Sequence, residues 1–201
     1  MFDHLEGTIR QHNLFWGSSY DRGLDLVLPL WPMIREKFPD ATLNICYGWE
    51  LFDKGYANNA ERKAWKERIS KLMEQPGITH YGRIGKDQVK ELEDRCGVWV
   101  YPTYFPEINC ITALDCQKEG CVPCVVGIAA LFETVQSGVI IEGDAYDKEV
   151  QHKWLNALLD LMGNEEKWKA EQEKGKKFVE GLTWPKVAEQ WVLEFDDGPK
   201  E

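Results

Sequence analysis

Short apolar runs alternate with amphipathic segments along the chain up to about residue 143. These runs are too apolar for half-exposed strands, and this is typical of strands that are buried on both faces. They cover residues 13–19, 41–48, 77–82, 97–105, 121–127 and 138–143. Strands that alternate with helices in this way form parallel sheets. The pattern therefore predicts an α/β fold: a doubly wound, mainly parallel, six-stranded, Rossmann-like sheet with helices on both faces.

The segments between the runs carry apolar residues at helical spacing. They predict helices at 21–38, 59–75, 86–96 and 110–120, a short helical turn at 129–135, and a helical C-terminal tail at 146–162, 164–181 and 183–195. Pro29 and Pro32 are expected to kink or split the first helix, because each removes a backbone donor. No linker or repeat interrupts the pattern. We therefore expect one domain over residues 1–201, with flexible ends at 1–12 and 197–201.

The composition is that of an ordinary globular protein, with 43% hydrophobic and 29% charged residues among 201. A formal net charge of −10 repels polyanions, so nucleic acid is not expected as a partner. A small phosphorylated ligand needs only one local cation and a helix end. No apolar run reaches the roughly 18–20 residues that cross a bilayer, and the N-terminus "MFDHLEGTIRQ" is too charged for a secretory signal. We expect no transmembrane segment.

The six cysteines lie mostly beside apolar residues, which favours reduced, buried thiols and a cytoplasmic protein. Cys121 and Cys124 have the spacing of a metal or redox pair. However, they run into a predicted strand, where alternate residues face opposite sides of the sheet. The four histidines are scattered, so none completes a zinc site there. We expect packing roles for the cysteines and no metal site.

Ligands of open parallel sheets bind at the carboxyl ends of the strands, so the loops that follow the strands are the candidate site. The first of these loops is "GSSYDRG", residues 17–23. Gly17 lets the backbone approach a ligand, Ser18 and Ser19 offer hydroxyl and amide groups, and Arg22 is a permanent cation. A predicted helix start adds a positive dipole end. The loop fits a diphosphate, and an ordinary strand-to-helix turn with a solvated arginine fits it equally.

The loop after the fourth run carries a second set of candidate groups. Asn109 is a good N-cap residue, which would leave the first amides of the following helix pointing into the loop. Asp115 lies on the same stripe as Ile111 and Leu114, which we expect to face the sheet. A carboxylate there could accept hydrogen bonds from paired sugar hydroxyls, and Glu107 could reach another part of the same ligand. Both carboxylates are equally consistent with ordinary surface charges.

Four segments together resemble one known family. "PEINCITALDCQKEGCVPCVVG" resembles the E-x7-E segment in the C-terminal, nucleotide-sugar-binding half of group 1 retaining glycosyltransferases with the GT-B fold. "FWGSSYDRGLDLVL" resembles their glycine and basic motif, and "GITHYGRIGKDQVKEL" resembles their base-binding stretch. "TWPKVAEQWVLEF" is similar to their closing helix. The resemblance runs from about Phe15 to Phe195 and implies a donor-binding domain.

The resemblance also implies roles for individual residues. As catalytic residues, Arg22 would neutralise the donor's diphosphate and Glu107 would face the donor sugar. The other implied contacts are Gly17, Ser18 and Ser19 beside the diphosphate, Arg83 and Ile84 at the base, the amides of Asn109, Cys110 and Ile111 at sugar or phosphate, and Asp115 at the ribose hydroxyls. The nucleoside diphosphate sugar is the donor substrate, and no separate cofactor is implied.

The sequence departs from this family at three places. The first motif usually has two cations, but only Arg22 is present; Asp115 stands where the family has Glu; and "INCI" replaces a glycine-rich stretch. No Asp-x-Asp pair is available to hold a metal, so a guanidinium and a helix start would have to stabilise the leaving diphosphate. Metal-independent transfer with retention of configuration is what the resemblance implies.

The family's acceptor binds to a separate N-terminal domain, which this chain is too short to include. We therefore expect such a domain as a partner, in cis or in trans, and little turnover by the chain alone. An alternative is a stand-alone nucleotide or nucleotide-sugar binding module without transferase activity. A nicotinamide-dependent oxidoreductase is disfavoured, because "WGSSYDRG" lacks the G-x-G-x-x-G spacing and no acidic residue ends the second strand.

Overall fold

The computed structural model describes residues 2–196. A six-stranded sheet runs through its centre in the order β3-β2-β1-β4-β5-β6, and all neighbouring strands are parallel. The strands are β1 (Asn13–Trp16), β2 (Thr42–Cys46), β3 (Ile78–Gly82), β4 (Val98–Tyr101), β5 (Val122–Gly127) and β6 (Val139–Glu142). The predicted α/β fold with its parallel, Rossmann-like sheet is confirmed, and each strand is shorter than its apolar run.

Ten α-helices accompany the sheet in the described residues. They are α1 (Leu24–Val27), α2 (Trp31–Lys37), α3 (Glu50–Gly55), α4 (Ala60–Leu72), α5 (Lys86–Arg95), α6 (Ile111–Glu119), α7 (Leu131–Thr134), α8 (Lys148–Gly163), α9 (Glu165–Val179) and α10 (Trp184–Asp196). The first predicted helix is split into α1 and α2 at the prolines, as expected. Helix α3 was not predicted; it lies in the loop after β2.

The N-terminal end differs from the flexible segment that the sequence suggests for residues 1–12. Residues Asp3–Leu5 and Arg10–His12 form two 3-10 turns, and Phe2 and Leu5 are buried. Phe2 packs edge-on against Tyr81 of β3 at 5.2 Å between ring centroids. An apolar side chain that is removed from water in this way favours an ordered segment. The other predicted flexible end, 197–201, lies outside the described residues.

Buried tryptophans join helices to the sheet and its loops. The Trp154 indole of α8 donates to the Cys124 carbonyl of β5 at 3.0 Å, and the Trp168 indole of α9 donates to the Gly97 carbonyl at 2.8 Å. The Trp31 indole of α2 donates to the Pro76 carbonyl at 2.9 Å. Each ring therefore buries a large apolar surface without leaving its N–H unsatisfied. These contacts fix the helices against the strands that position the candidate site.

The cysteines are part of this core. All six lie buried as free thiols: Cys46, Cys96, Cys110, Cys116, Cys121 and Cys124. Within residues 2–196, no group of three His, Cys, Asp or Glu side chains is arranged to hold a metal ion. Across the same described range, none of the helices combines the length and the apolar character that crossing a bilayer requires.

Candidate donor site at the switch point of the sheet

Strand order reverses between β1 and β4, so their following loops leave a crevice at the carboxyl edge of the sheet. A cavity of about 180 Å³ occupies this crevice. It is lined by Gly17, Ser18, Arg22, Tyr47, Trp99, Tyr101, Glu107, Asn109, Cys110, Ile111 and Thr112. The structure thus brings together the loop after β1, the loop after β4 and the start of α6, as parallel strand ends require.

Arg22 reaches the cavity from a 3-10 turn, Tyr20–Arg22, which follows β1. The next residue, Gly23, has φ 118°, and a Cβ atom there would lie 2.6 Å from the Pro102 carbonyl oxygen. Only glycine fits such a close approach between the two loops. As a result, the Arg22 guanidinium stacks over the Phe105 ring at 3.8 Å and donates to Glu107 Oε1 at 3.0 Å.

Glu107 is held in place by several contacts and is only 8% exposed. Its Oε1 atom accepts from Arg22 and also from the Tyr101 hydroxyl at 2.6 Å. The Tyr101 hydroxyl lies 3.3 Å from Ser18 Oγ, so the network extends to the loop after β1. The Glu107 carbonyl accepts from the Ala130 amide at 3.0 Å. Glu107 therefore orients the guanidinium, which has five N–H donors and uses one of them here.

The protonation states of the cavity follow from burial and pairing. Burial opposes the charged form of Arg22, but the neighbouring Glu107 and Tyr101 outweigh it and raise the pKa of Arg22. Burial, together with the hydrogen bond to Glu107, raises the pKa of Tyr101 well above its usual range. Burial also raises the pKa of the Cys110 thiol to about 12. At neutral pH the cavity therefore contains a fixed cation, Arg22, that is paired with Glu107, together with a neutral phenol and a neutral thiol.

The start of α6 differs from the predicted one. Cys110, rather than Asn109, is the N-cap residue, and its side chain makes no capping hydrogen bond. Asn109 is exposed and lies one residue before the N-cap. Helix α6 thus begins at the cavity wall, where Ile111 and Thr112 are lining residues and the Ala113 amide donates to the Cys110 carbonyl at 3.1 Å.

The buried face of α6 also differs from the prediction. Ile111 is 64% exposed, and Leu114 is only partly buried. Ala113, Cys116 and Gln117 face the interior instead. These three follow the i, i+3, i+4 spacing of a buried stripe, with smaller and more polar residues than the sequence pattern favours. Ile111 is therefore free to line the cavity rather than pack on the sheet.

A second cavity of about 160 Å³ lies beside the first. It is lined by Gly17, Cys46, Tyr47, Arg83, Ile84 and Val89. Arg83 and Ile84, which the resemblance assigns to the base, line this cavity rather than the one that contains Arg22. Gly17 and Tyr47 line both cavities, so the two are adjacent.

Two sequence candidates line neither cavity. The Ser19 hydroxyl donates to Asp21 Oδ1 at 2.7 Å. Asp115 is exposed on α6; partial burial raises its pKa, and Lys118, Lys86 and Lys90 act in the opposite direction. Lys86 and Lys90 belong to α5 and flank Val89, which lines the second cavity. Asp115 therefore lies near the side of the second cavity that α5 forms.

Four residues that line the first cavity were not among the sequence candidates: Tyr47, Trp99, Tyr101 and Thr112. Tyr47 directly follows β2 and Tyr101 ends β4, but in the sequence both lie inside apolar runs and look like core residues. Trp99 lies inside the same run as Tyr101 and looks like a core residue too. Its indole Nε1 is buried and has no hydrogen-bond partner among the described residues.

No family model matches this sequence, and no curated protein matches it either. Several solved structures, however, are similar to this chain. The pneumococcal O-GlcNAc transferase GtfA in complex with UDP and GlcNAc has TM-score 0.71 at 12% identity, with 96% of this chain covering 37% of that one. Sucrose-phosphate synthase from Thermosynechococcus elongatus has TM-score 0.70 at 17% identity, with 92% covering 44%.

A third neighbour is the catalytic domain of cholesterol-α-glucosyltransferase from Helicobacter pylori, with TM-score 0.57 at 14% identity, where 85% of this chain covers 98% of that one. The chain spans about two fifths of the length of the first two structures. Identities this low establish the fold alone. The structural neighbours of the chain are GT-B glycosyltransferases, and its fold is the fold of a domain of that class.

Proposed function

We propose that this chain is the donor-binding domain of a glycosyltransferase. It binds a nucleoside diphosphate sugar and presents the sugar to an acceptor that a second domain holds. The observation that carries this proposal is the shared cavity of Arg22, Glu107 and the start of α6 at the switch point of the sheet. A cation and a helix start that border one cavity favour an anionic ligand.

The proposed mechanism assigns a role to each group. Cleavage of the sugar–diphosphate bond develops negative charge on the leaving diphosphate. The Arg22 guanidinium and the first amides of α6 stabilise that charge without a metal ion. Glu107 holds Arg22 through its 3.0 Å contact and faces the donor sugar. Retention of configuration and transfer of a hexosyl group are both proposed from the resemblance to group 1 enzymes.

A second domain is part of this proposal. The chain matches only 37% and 44% of the first two structural neighbours, so the acceptor site belongs to a partner domain, in cis or in trans. Helix α10 exposes Trp184, Trp191, Leu193 and Phe195, which offer such a domain an apolar surface. The chain alone binds donor and turns over little. Six unpaired, buried thiols fit a cytoplasmic, reducing compartment.

Calorimetry with UDP, GDP and their sugars tests the proposal. We expect at least one nucleoside diphosphate to bind, and Arg22→Ala to weaken it about a hundredfold, since charge-assisted hydrogen bonds contribute roughly 1.5–3 kcal/mol each. Arg22→Lys keeps the positive charge but loses the planar guanidinium with its several N–H donors. Its affinity for the nucleoside diphosphate should therefore lie between those of the wild type and Arg22→Ala.

The matched control is Lys169→Ala, which removes an exposed cation that pairs with Glu165 on α9. It should leave the affinity unchanged. If no member of the panel gives heat or a thermal shift, the donor-site proposal fails. Equal binding by the wild-type protein and Arg22→Ala would place the diphosphate elsewhere.

A further inference from the structure

Tyr47 is the side chain at which the two cavities meet. Gly17 and Tyr47 are the residues common to both linings, and glycine has no side chain. Among the described residues, Tyr47 is therefore the only residue with a side chain that lines both the Arg22 cavity and the Arg83 cavity. A ligand that fills both cavities has to pass Tyr47.

The backbone of Tyr47 is strained. Its φ of 141° lies in a region that residues with side chains rarely adopt. The surrounding contacts enforce it: the Tyr47 amide donates to the Gly82 carbonyl at 2.9 Å, and the Gly48 amide donates to the Tyr20 hydroxyl at 2.8 Å. That hydroxyl also lies 2.6 Å from His80 Nε2. Strain that persists in this way is concentrated at ligand sites.

The size of the cavities limits the ligand class. Each measures under 200 Å³, whereas sites for drug-sized ligands usually exceed about 300 Å³. The first cavity contains the cation, and the second is lined by Ile84, Val89 and the Cys46 thiol beside the exposed Arg83. A molecule with an anionic end and a flat, less polar end fits the pair better than it fits either cavity alone.

We propose that the Tyr47 ring is the surface on which the nucleoside of the donor packs, and that it selects nucleoside diphosphates over diphosphates without a nucleoside. This inference rests on the proposed function. An aromatic ring contacts any flat base without a charge of its own, so it supplies affinity for the nucleoside class. Tyr20 packs edge-on to Tyr47 at 6.3 Å and supports the ring.

Calorimetry with two probes, UDP and inorganic pyrophosphate, tests Tyr47. Tyr47→Ala should weaken UDP binding about tenfold, in line with the loss of one aromatic–base contact, and leave pyrophosphate binding within about twofold. Tyr47→Phe keeps the ring and should keep UDP affinity. The matched control, Tyr146→Ala, removes a tyrosine that stacks on Tyr104 and lines neither cavity, and should change neither affinity.

A further variant separates binding from folding. Tyr47→Gly loses the same ring but relieves the positive φ, so it should melt about 2–4 °C above Tyr47→Ala with the same loss of UDP affinity. If UDP binds Tyr47→Ala or Tyr47→Gly as well as the wild type, the inference is wrong and the donor site stands. The wild-type protein alone also tests it: UDP that binds no more tightly than pyrophosphate overturns the role of Tyr47. No binding of UDP or of any other nucleoside diphosphate would instead overturn the proposed function.

Discussion

The two carboxylates of the E-x7-E-like segment lie eight residues apart in the chain and in very different surroundings. Glu107 is buried and accepts hydrogen bonds from Arg22 and Tyr101. Asp115 is exposed on α6, and the charges that favour its ionised form are those of lysines. The comparison teaches that two carboxylates of the same motif can lie in different environments and differ in role. Contacts from β1 and β4 fix the first carboxylate, whereas helix geometry alone places the second.

The largest expected difference between the two positions is in stability. Glu107→Ala leaves the buried Tyr101 hydroxyl and the Arg22 guanidinium without their acceptor, which costs roughly 2 kcal/mol. We expect its melting temperature to fall by about 4–8 °C. Asp115→Ala removes an exposed carboxylate and should melt within about 1 °C of the wild type. Thermal melts of the two variants, side by side, make the comparison, and equal shifts would contradict it.

The next difference concerns the ribose. If Asp115 holds the ribose hydroxyls, the wild type should bind UDP at least about tenfold more tightly than 2′-deoxy-UDP. Asp115→Ala should lose most of that preference, because each hydrogen bond to a charged group contributes roughly 1.5–3 kcal/mol. Calorimetry with both nucleotides measures it. A preference that survives the substitution would assign the ribose to another residue and leave Asp115 as a surface charge.

A third expected effect is a pH dependence of stability near Asp115. Glu93 of α5 is 3% exposed and 3.8 Å from the Cys116 thiol. Burial, with smaller contributions from Asp115 and Glu119, raises the pKa of Glu93 to about 8. Between its unfolded pKa, about 4.3, and about 8, the folded state holds a proton that the unfolded state releases. Stability should therefore fall as pH rises through this range and level off above it.

The variant Glu93→Gln isolates this effect, because its side chain is neutral at every pH. Melting temperatures of wild type and variant are compared at pH 6, 7, 8 and 9. The difference between them should change by several degrees from pH 6 to 8 and stay constant above about pH 8. A difference that is independent of pH would mean that Glu93 is ionised in the folded protein at pH 6.

Much of the fold was predictable from local pattern. The apolar runs located all six strands, and Pro29 and Pro32 marked the break between α1 and α2. The errors arose where a distant contact overrides local preference. Phe2 packs against Tyr81, 79 residues away, and the interior face of α6 is formed by Ala113, Cys116 and Gln117 rather than by Ile111 and Leu114. No local signal distinguishes these cases.

The site was predictable in part for the same reason. Glycine, hydroxyl and cationic residues after a strand indicated the loop of Gly17 to Arg22, because parallel strands end at one edge. The side chains that complete the cavity, Tyr47, Trp99 and Tyr101, belong to strands or their ends and look like core residues in the sequence. Only the order of the strands shows that they border a crevice.

The sequence by itself determined the alternation of strands and helices, because burial of both sheet faces requires continuous apolar runs separated by amphipathic helices. It also determined which loops carry polar groups. The tertiary structure decided that β1 lies beside β4, which brings Arg22 within 3.0 Å of Glu107 although 85 residues separate them. It also decided which carboxylate is buried, since burial depends on packing between elements and not on the spacing of residues along the chain.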